Sequence, residues 1–321
     1  MSDDEIRNLF DPLLWAEVQG EDSFPNKRPL LAHYTSMPVL EEVLRNKEIW
    51  FSHPLLMNDH QEVTFGLNAA AQLFDTSERI RAACESSQRF QTLRNTFIFW
   101  FNKFAQEHLP NTFVLCFSEH AKDDNDGLLS MWRGYGDKGR GVAIVFDTAK
   151  IVPRDDSPLI VAKLYYGSGE QRRDWIQMLL GRSADILKNN AIPDDKLYLC
   201  AFYIFERLKQ LAILTKHHGF REENEWRVVY MSGRANSELL NHMIGYWNGP
   251  RGAEPKLKFK LETIAGMPET DDLSLERLVD RIILGPVSSP LAVSACANMV
   301  ESLGHRELKD RIRRSTIPFR T

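Results

Sequence analysis

The sequence predicts an α+β fold, on three observations. The chain of 321 residues is 43% hydrophobic and 26% charged, enough apolar side chain for a core and unlike a disordered or low-complexity chain. Its candidate strands and helices alternate irregularly, without the steady βα repeat of a parallel barrel. No internal repeat and no linker rich in Gly, Ser or Pro divides it. The expected organisation is an N-terminal helical extension over residues 1–29, followed by a single α+β domain over residues 30–321.

The opening stretch to about Gly20 places Leu9, Phe10, Leu13 and Leu14 at helical spacing, and Pro25 and Pro29 break the pattern. Leu30 to Tyr34 then reads as a short strand. Ser36 is placed to cap the next helix, with Pro38 in its first turn and Leu40, Val43 and Leu44 as the buried stripe, ending near Asn46. Glu48 to Ser52 is a second short strand. Helices are expected over Gln61 to Phe74 and Ser77 to His108, and a strand over Thr112 to Phe117 from its β-branched and aromatic content.

Gly127 to Tyr135 predicts a short helix leading into a glycine-rich turn. Val142 to Phe146 is a near-continuous apolar run, the mark of a strand buried on both faces, and Leu159 to Tyr165 is expected beside it. Asp174 to Asn189 and Lys196 to Lys216 read as helices, the second closing on Lys216-His217-His218-Gly219 with cations in its last turn. Trp226 to Met231, Leu257 to Leu261 and Ile282 to Leu284 are strands, and Pro290 to Leu303 a helix.

Several function classes are excluded or disfavoured. The formal net charge of −4 offers no global field to nucleic acid or an anionic membrane. The longest apolar stretches, Thr96 to Phe101 and Leu197 to Phe205, fall short of the roughly 18 residues a spanning helix needs, so no membrane is expected. The acidic start Met1-Ser2-Asp3-Asp4-Glu5 does not look like a secretory signal, which predicts a cytoplasmic protein. Cys84, Cys116, Cys200 and Cys296 lie far apart without a CxxC pair, predicting reduced and mostly buried thiols.

Local motifs divide into weak and strong. Gly134 to Gly139 fits the letters GxGxxG, but a helix precedes it and a strand follows, the reverse of a dinucleotide site, so a tight turn is favoured. Asp123 to Gly127 fails as a calcium loop, because alignment on Gly127 puts Lys122 first and Arg133 twelfth, where carboxylates are required. Those acids are expected in a solvated loop that caps the next helix. His53, Asp59, His60 and Glu62 carry metal-capable atoms without a recognised ligand spacing, and no metal is assigned. Cys116 with His120 has no local nucleophile signature, and a packed core thiol is favoured. The cations Arg306, Lys309, Arg311, Arg313, Arg314 and Arg320 read first as a solvated face.

Two clusters are richer. Ser130 to Gly136 brings Trp132, Arg133 and Tyr135 together, the ingredients for stacking on a ring while holding a phosphate. Phe220 to Arg227 sets Glu222, Glu223 and Glu225 between Arg221 and Arg227 at the mouth of a strand. Strand alternation would put Glu223, Glu225 and Arg227 on one side. The bland reading is a salt-bridged surface turn; the functional one is a carboxylate aimed into a cleft.

Leu31 to Ser36, Met57 to Glu62, Cys116 to Glu119, Ser130 to Gly136, Gly141 to Phe146 and Glu222 to Arg227, in that order, resemble the bacterial family catalogued as domain of unknown function 2971, with His60 where the family commonly has Pro. The likeness spans roughly Leu30 to the C-terminus. More distantly, a strand ending in His-Tyr-Thr before a capped helix, a central aromatic segment and a late Glu at a strand start are similar to the ADP-ribosyltransferase layout. That resemblance implies a split mixed sheet flanked by helices, an ADP-ribosyltransferase-like core with helical insertions. It implies NAD as substrate, with His33 holding its ribose, Tyr135 (or Tyr34 or Trp132) stacking on nicotinamide, and Glu225 as the catalytic carboxylate. Glu223-Asn224-Glu225 also resembles the Glu-x-Glu element of the arginine-modifying clade, and Arg133 would neutralise the pyrophosphate.

The implied activity is transfer of ADP-ribose to a protein or nucleic-acid acceptor, or hydrolysis of NAD. A preorganised carboxylate would stabilise the oxocarbenium character of the sugar as the nicotinamide bond breaks. The alternatives are a non-enzymatic nucleotide-sensing or interaction module in phage defence or stress response, and a metal-dependent nuclease built on His53, Asp59, His60 and Glu62.

Overall fold

The computed structural model describes residues 1–14, 22–57, 62–249 and 252–319. In chain order its helices and strands are α1 (Asp3–Leu14), β1 (Leu30–Thr35), α2 (Met37–Asn46), β2 (Glu48–Ser52), α3 (Glu62–Thr76), α4 (Glu78–Ala83), α5 (Ser87–Lys103), β3 (Thr112–His120), α6 (Leu129–Gly134), β4 (Val142–Asp147), β5 (Leu159–Lys163), β6 (Tyr165–Gly167), α7 (Gly169–Asn189), α8 (Leu197–Ile213), β7 (Thr215–His217), β8 (Glu225–Met231), β9 (Ile244–Gly249), β10 (Gly252–Lys260), α9 (Leu275–Leu278), β11 (Val279–Leu284), α10 (Pro290–Ser302) and β12 (Ile312–Arg314). The fold is α+β, as expected, with a mixed open sheet and flanking helices.

The chain forms two compact units built from discontinuous segments. One takes Met1–Ser23, His53–Thr112 and Leu164–Phe220; the other takes Phe24–Ser52, Phe113–Lys163 and Arg221–Thr321. The first is helical. Its centre is α8, whose apolar side chains are buried nearly all round and which packs against α1, α3 and α5. Phe97 stacks on Phe74 at 3.9 Å between ring centroids and meets Phe205 edge-on, so aromatic contacts tie α3, α5 and α8 together.

Local signals correct three helix boundaries. The single helix expected over Ser77 to His108 breaks at Glu85, which takes a left-handed φ of 61°, and Ser86 restarts it by accepting from the Arg89 amide. The helix expected from Asp174 begins at Gly169, because Ser168 and Gln171 form a capping box. The helix expected to run to Lys216 stops at Ile213, and Lys216 and His217 belong to β7, which pairs in parallel with β6. The cations of that segment therefore sit on a strand instead of at a helix end.

The second unit holds the main sheet, in the order β12-β11-β4-β1-β3-β2-β10-β9, with β8 pairing β3 and β5. All its pairs with a defined register are antiparallel except β11 with β12. The expected pairing of Leu159 to Tyr165 with Val142 to Phe146 does not form: β4 lies between β1 and β11, and β5 pairs β8. Apolar content identified both strands, but the choice of partner is a long-range decision that two such runs do not encode.

One sheet face carries the larger core, including Leu31, Phe117, Ile144, Trp226, Tyr230, Leu257 and Ile282, covered by Leu40, Val43 and Leu44 of α2 and by Cys296 and Val300 of α10. The opposite face carries a smaller cluster of Ala32, Tyr34, Ala143, Val145, Ile283, Met131 and Trp132. The Gly134 to Gly139 segment is the tight turn the sequence suggested, with Lys138 and Gly139 at φ 53° and 82°. Beyond it Gly141 lies so close to β1 that a Cβ there would stand 2.1 Å from the Thr35 carbonyl.

Candidate active site

All the side chains singled out from the resemblance lie in the second unit. Strand alternation separates them. On β1, His33 pairs across to Ile144, on the larger-core face, and meets Phe117 edge-on at 5.8 Å, whereas Tyr34 pairs across to Ala143 on the other face. The β1–β3 register runs only from Leu30 to Ala32, and just past it the His33 Nδ1 donates to the Cys116 carbonyl at 3.0 Å. A side chain thus satisfies the β3 carbonyl where the backbone ladder stops. Burial holds the His33 pKa below the ordinary histidine value, opposed by that hydrogen bond, so the neutral ring is favoured.

Tyr34 and Trp132 form a closed pair. Their rings meet edge-on at 4.8 Å; the Leu128 amide donates to the Tyr34 hydroxyl at 2.9 Å and Trp132 Nε1 donates to the Asp126 carbonyl at 2.7 Å. Burial pushes the Tyr34 phenol up to about 12, against the Leu128 bond that lowers it. Trp132 is 0% exposed and presents no ring face to a ligand. These two side chains anchor α6 to the sheet.

α6 projects the remaining pair outward. Arg133 is exposed, its guanidinium 5.5 Å from the Phe319 ring centroid. Tyr135 is half-buried beside the smaller cluster and donates its hydroxyl to Glu223 Oε1 at 2.9 Å. Glu223 is held in turn through its backbone, whose carbonyl accepts from Ser118 Oγ at 2.7 Å.

The acidic cluster departs from the simple strand reading. Residues 218–223 form 3₁₀ turns and Asn224 takes φ 43°, so β8 starts only at Glu225 and alternation does not carry back to Glu223. Trp226 and Tyr230 point into the larger core, which turns Glu225 and Arg227 to the other face. There Arg227 Nε donates to Glu225 Oε1 at 2.7 Å, and the two residues are 1% and 3% exposed. The structure therefore brings Tyr135 to Glu223, joins Glu225 to Arg227, and leaves His33 on the opposite face from Tyr135.

Sequence reasoning assigned no role to Glu119, which ties this region together. It accepts from Lys27 Nζ at 2.8 Å, Lys163 Nζ at 2.7 Å and Trp226 Nε1 at 3.0 Å, and its amide donates to the Asn224 carbonyl at 2.9 Å. Burial alone would raise its pKa, but the hydrogen bonds from Lys163, Lys27 and Trp226 outweigh it and bring the carboxyl down to about 2. The signal was its place at the end of β3, next to the motif serine.

The other motifs resolve structurally. His53 Nδ1 accepts from the Leu55 amide and its Nε2 donates to the Leu109 carbonyl, so both ring nitrogens are engaged. Asp59 and His60 lie outside the described residues, as does the Glu62 side chain. Cys84, Cys200 and Cys296 are buried free thiols, while Cys116 is half-buried instead of fully packed. Four strand positions, about 13 Å, separate Cys116 from His120. Asp126 does not cap α6; its carboxylate accepts from the Thr316 amide and hydroxyl. Arg306, Arg313 and Arg314 are exposed as expected of a solvated basic face and Lys309 pairs with Glu301, but Arg311 is half-buried and donates to the Glu276 and Val279 carbonyls, and Arg320 lies outside the described residues. No helix among the described residues is long and apolar enough to cross a membrane.

No curated protein and no solved structure matches the chain. The family model described as "Protein of unknown function (DUF2971)" matches residues 131–228, from Met131 beside Trp132 and Tyr135 to the β8 segment that holds Glu225 and Arg227. Over that segment the chain is similar to this family, the one its motif order resembles.

Proposed function

We propose that the face carrying Arg133, Tyr135, Glu223 and Glu225 binds NAD and cleaves its nicotinamide–ribose bond, passing ADP-ribose to a macromolecular acceptor or to water, on an ADP-ribosyltransferase-like core. The observation that carries the reading is the 2.9 Å bond from the Tyr135 hydroxyl to Glu223 Oε1, beside an exposed arginine two residues away. An aromatic ring, a carboxylate and a fixed cation within one short stretch of surface match the three parts of the ligand: nicotinamide, a ribose that becomes cationic, and pyrophosphate.

In this reading Glu223 is the catalytic carboxylate and Glu225, joined to Arg227, positions it. The glycosidic electron pair leaves with nicotinamide, the carboxylate stabilises the oxocarbenium-like sugar, and the acceptor gives up its proton as it bonds to C1′. The geometry assigns no ligand contact to His33, Tyr34 or Trp132. A second reading, a nucleotide-sensing module that binds without turnover, is favoured by the burial of the Glu225–Arg227 pair, which neutralises the carboxylate the resemblance made catalytic.

Incubation with NAD, with nicotinamide followed by chromatography and binding by calorimetry, tests both. Glu223→Gln is expected to slow release by about 100- to 1,000-fold, the usual cost of one preorganised electrostatic partner. Binding without release supports the sensing module. Absence of both release and binding, or release unchanged by Glu223→Gln, refutes the catalytic assignment.

A further inference from the structure

At the end of the main sheet, the face of β2, β10 and β9 opposite the larger core carries a diagonal of aromatic and cationic side chains. Cross-strand register places Trp50 opposite Lys258, Ser52 opposite Lys256, and Glu254 opposite Trp247, so these side chains share that face. Lys258 Nζ stands 4.6 Å from the Trp50 ring centroid and Lys256 Nζ 5.7 Å from that of Trp247. Along the diagonal the order is Trp50, Lys258, Lys256, Trp247. Four residues of β10 and two strand spacings separate the two indoles, roughly 16 Å at about 3.3 Å per residue and 4.8 Å per strand.

The outer indole is built as a platform. A Cβ at Gly249 would fall 2.0 Å from the Trp247 ring, so the ring lies flat on the glycine backbone, and Trp247 is 40% exposed. Tyr246, on the other side of the same strand, is 66% exposed. β9 is the terminal strand of the sheet among the described residues. The carboxylates nearby are each held by a lysine, Glu48 by Lys260 at 2.5 Å and Glu254 by Lys256 at 3.2 Å. That leaves Lys258 as the lysine of the face with no carboxylate partner among the described residues.

We propose that this face binds single-stranded nucleic acid, with an unpaired base on Trp247 and backbone phosphate at Lys258, which stands over Trp50. Charge complementarity selects an anionic chain over an apolar peptide, since Lys258, partly exposed and free of a carboxylate partner among the described residues, lies between the rings while Lys256 is buried against Glu254. The 40% exposed Trp247 indole at the sheet's terminal strand selects unpaired bases over a duplex, whose bases are already stacked. The site is distinct from the Tyr135–Glu223 face and does not rest on NAD cleavage.

Fluorescence anisotropy of the full chain with labelled 12-nucleotide oligo-dU, oligo-U and a DNA duplex tests the proposal. Both single strands are expected to bind more tightly than the duplex, and the two arms tell whether the 2′-hydroxyl matters. Trp247→Ala is expected to weaken binding about 5- to 150-fold, the range for one base–aromatic stack, with Trp247→Phe restoring most of it. Lys258→Gln is expected to reduce the salt slope by roughly 0.7, one phosphate on a single strand. Circular dichroism of each variant confirms folding, and the lysine variant, whose side chain is partly solvated, keeps the test open if the tryptophan variant fails to fold. No binding of either single strand, equal binding of duplex, or a salt slope unmoved by Lys258→Gln overturns the proposal. So does a homodimer that Trp247→Ala dissociates without any oligonucleotide binding, which would give the face to a second copy of the chain.

Discussion

Replacing Glu119 by Gln removes one negative charge from the junction of β3 and β8 while keeping the side chain's shape. The carboxyl titrates at about 2 in the folded chain against an ordinary value of 4.5, a difference of about 3 kcal/mol at 1.36 kcal/mol per pH unit. Lys27 and Lys163 are about a third exposed (31% and 33%), and solvent screening reduces the figure to about 2 kcal/mol. Because folding lowers this pKa, the stabilisation is complete above the unfolded value near 4.5 and fades as pH falls towards 2. Hydrogen exchange by mass spectrometry on peptides spanning β3 and β8 reads the local effect without assuming two-state unfolding of a two-unit chain. Exchange in Glu119→Gln should be about 30-fold faster than in the parent at pH 7, and the ratio should fall to roughly 5-fold or less at pH 3. A ratio that stays constant between those pH values would refute the assignment of the Glu119 charge to this junction.

Two further outcomes follow from buried groups. Glu225→Ala removes the carboxylate that accepts from Arg227 Nε inside the fold and should lower stability by more than Glu225→Gln combined with Arg227→Met; thermal unfolding that shows simple additivity would contradict the coupling. Trp132→Ala empties a fully enclosed site against Tyr34 and should cost about 3–5 kcal/mol, read by the same melts, with a near-neutral change arguing that the ring is a ligand platform instead of an anchor.

Much of the secondary structure was legible in the residues because it depends on local patterns. The strands at Leu30, Glu48, Thr112 and Val142 carry apolar or β-branched runs, and the helix from Met37 has its stripe at Leu40, Val43 and Leu44. The α+β class and the likeness to the family over residues 131–228 likewise followed from order and motif. Partner choice did not: β5 pairs β8 instead of β4, and Lys216 sits on β7 instead of a helix end, because pairing is decided by contacts far apart in sequence.

The candidate site shows the same division. Residue types alone drew attention to Arg133, Tyr135, Glu223 and Glu225, since aromatic, cationic and acidic groups in short segments can serve a ligand as well as a salt bridge. Only the tertiary structure decided which of them meet. One left-handed residue, Asn224, takes Glu223 off the strand and towards Tyr135, and the two-residue alternation of β1 sends His33 and Tyr34 to opposite faces. A sequence specifies which groups are present and how they alternate; packing specifies which face is closed, and therefore which groups remain for chemistry.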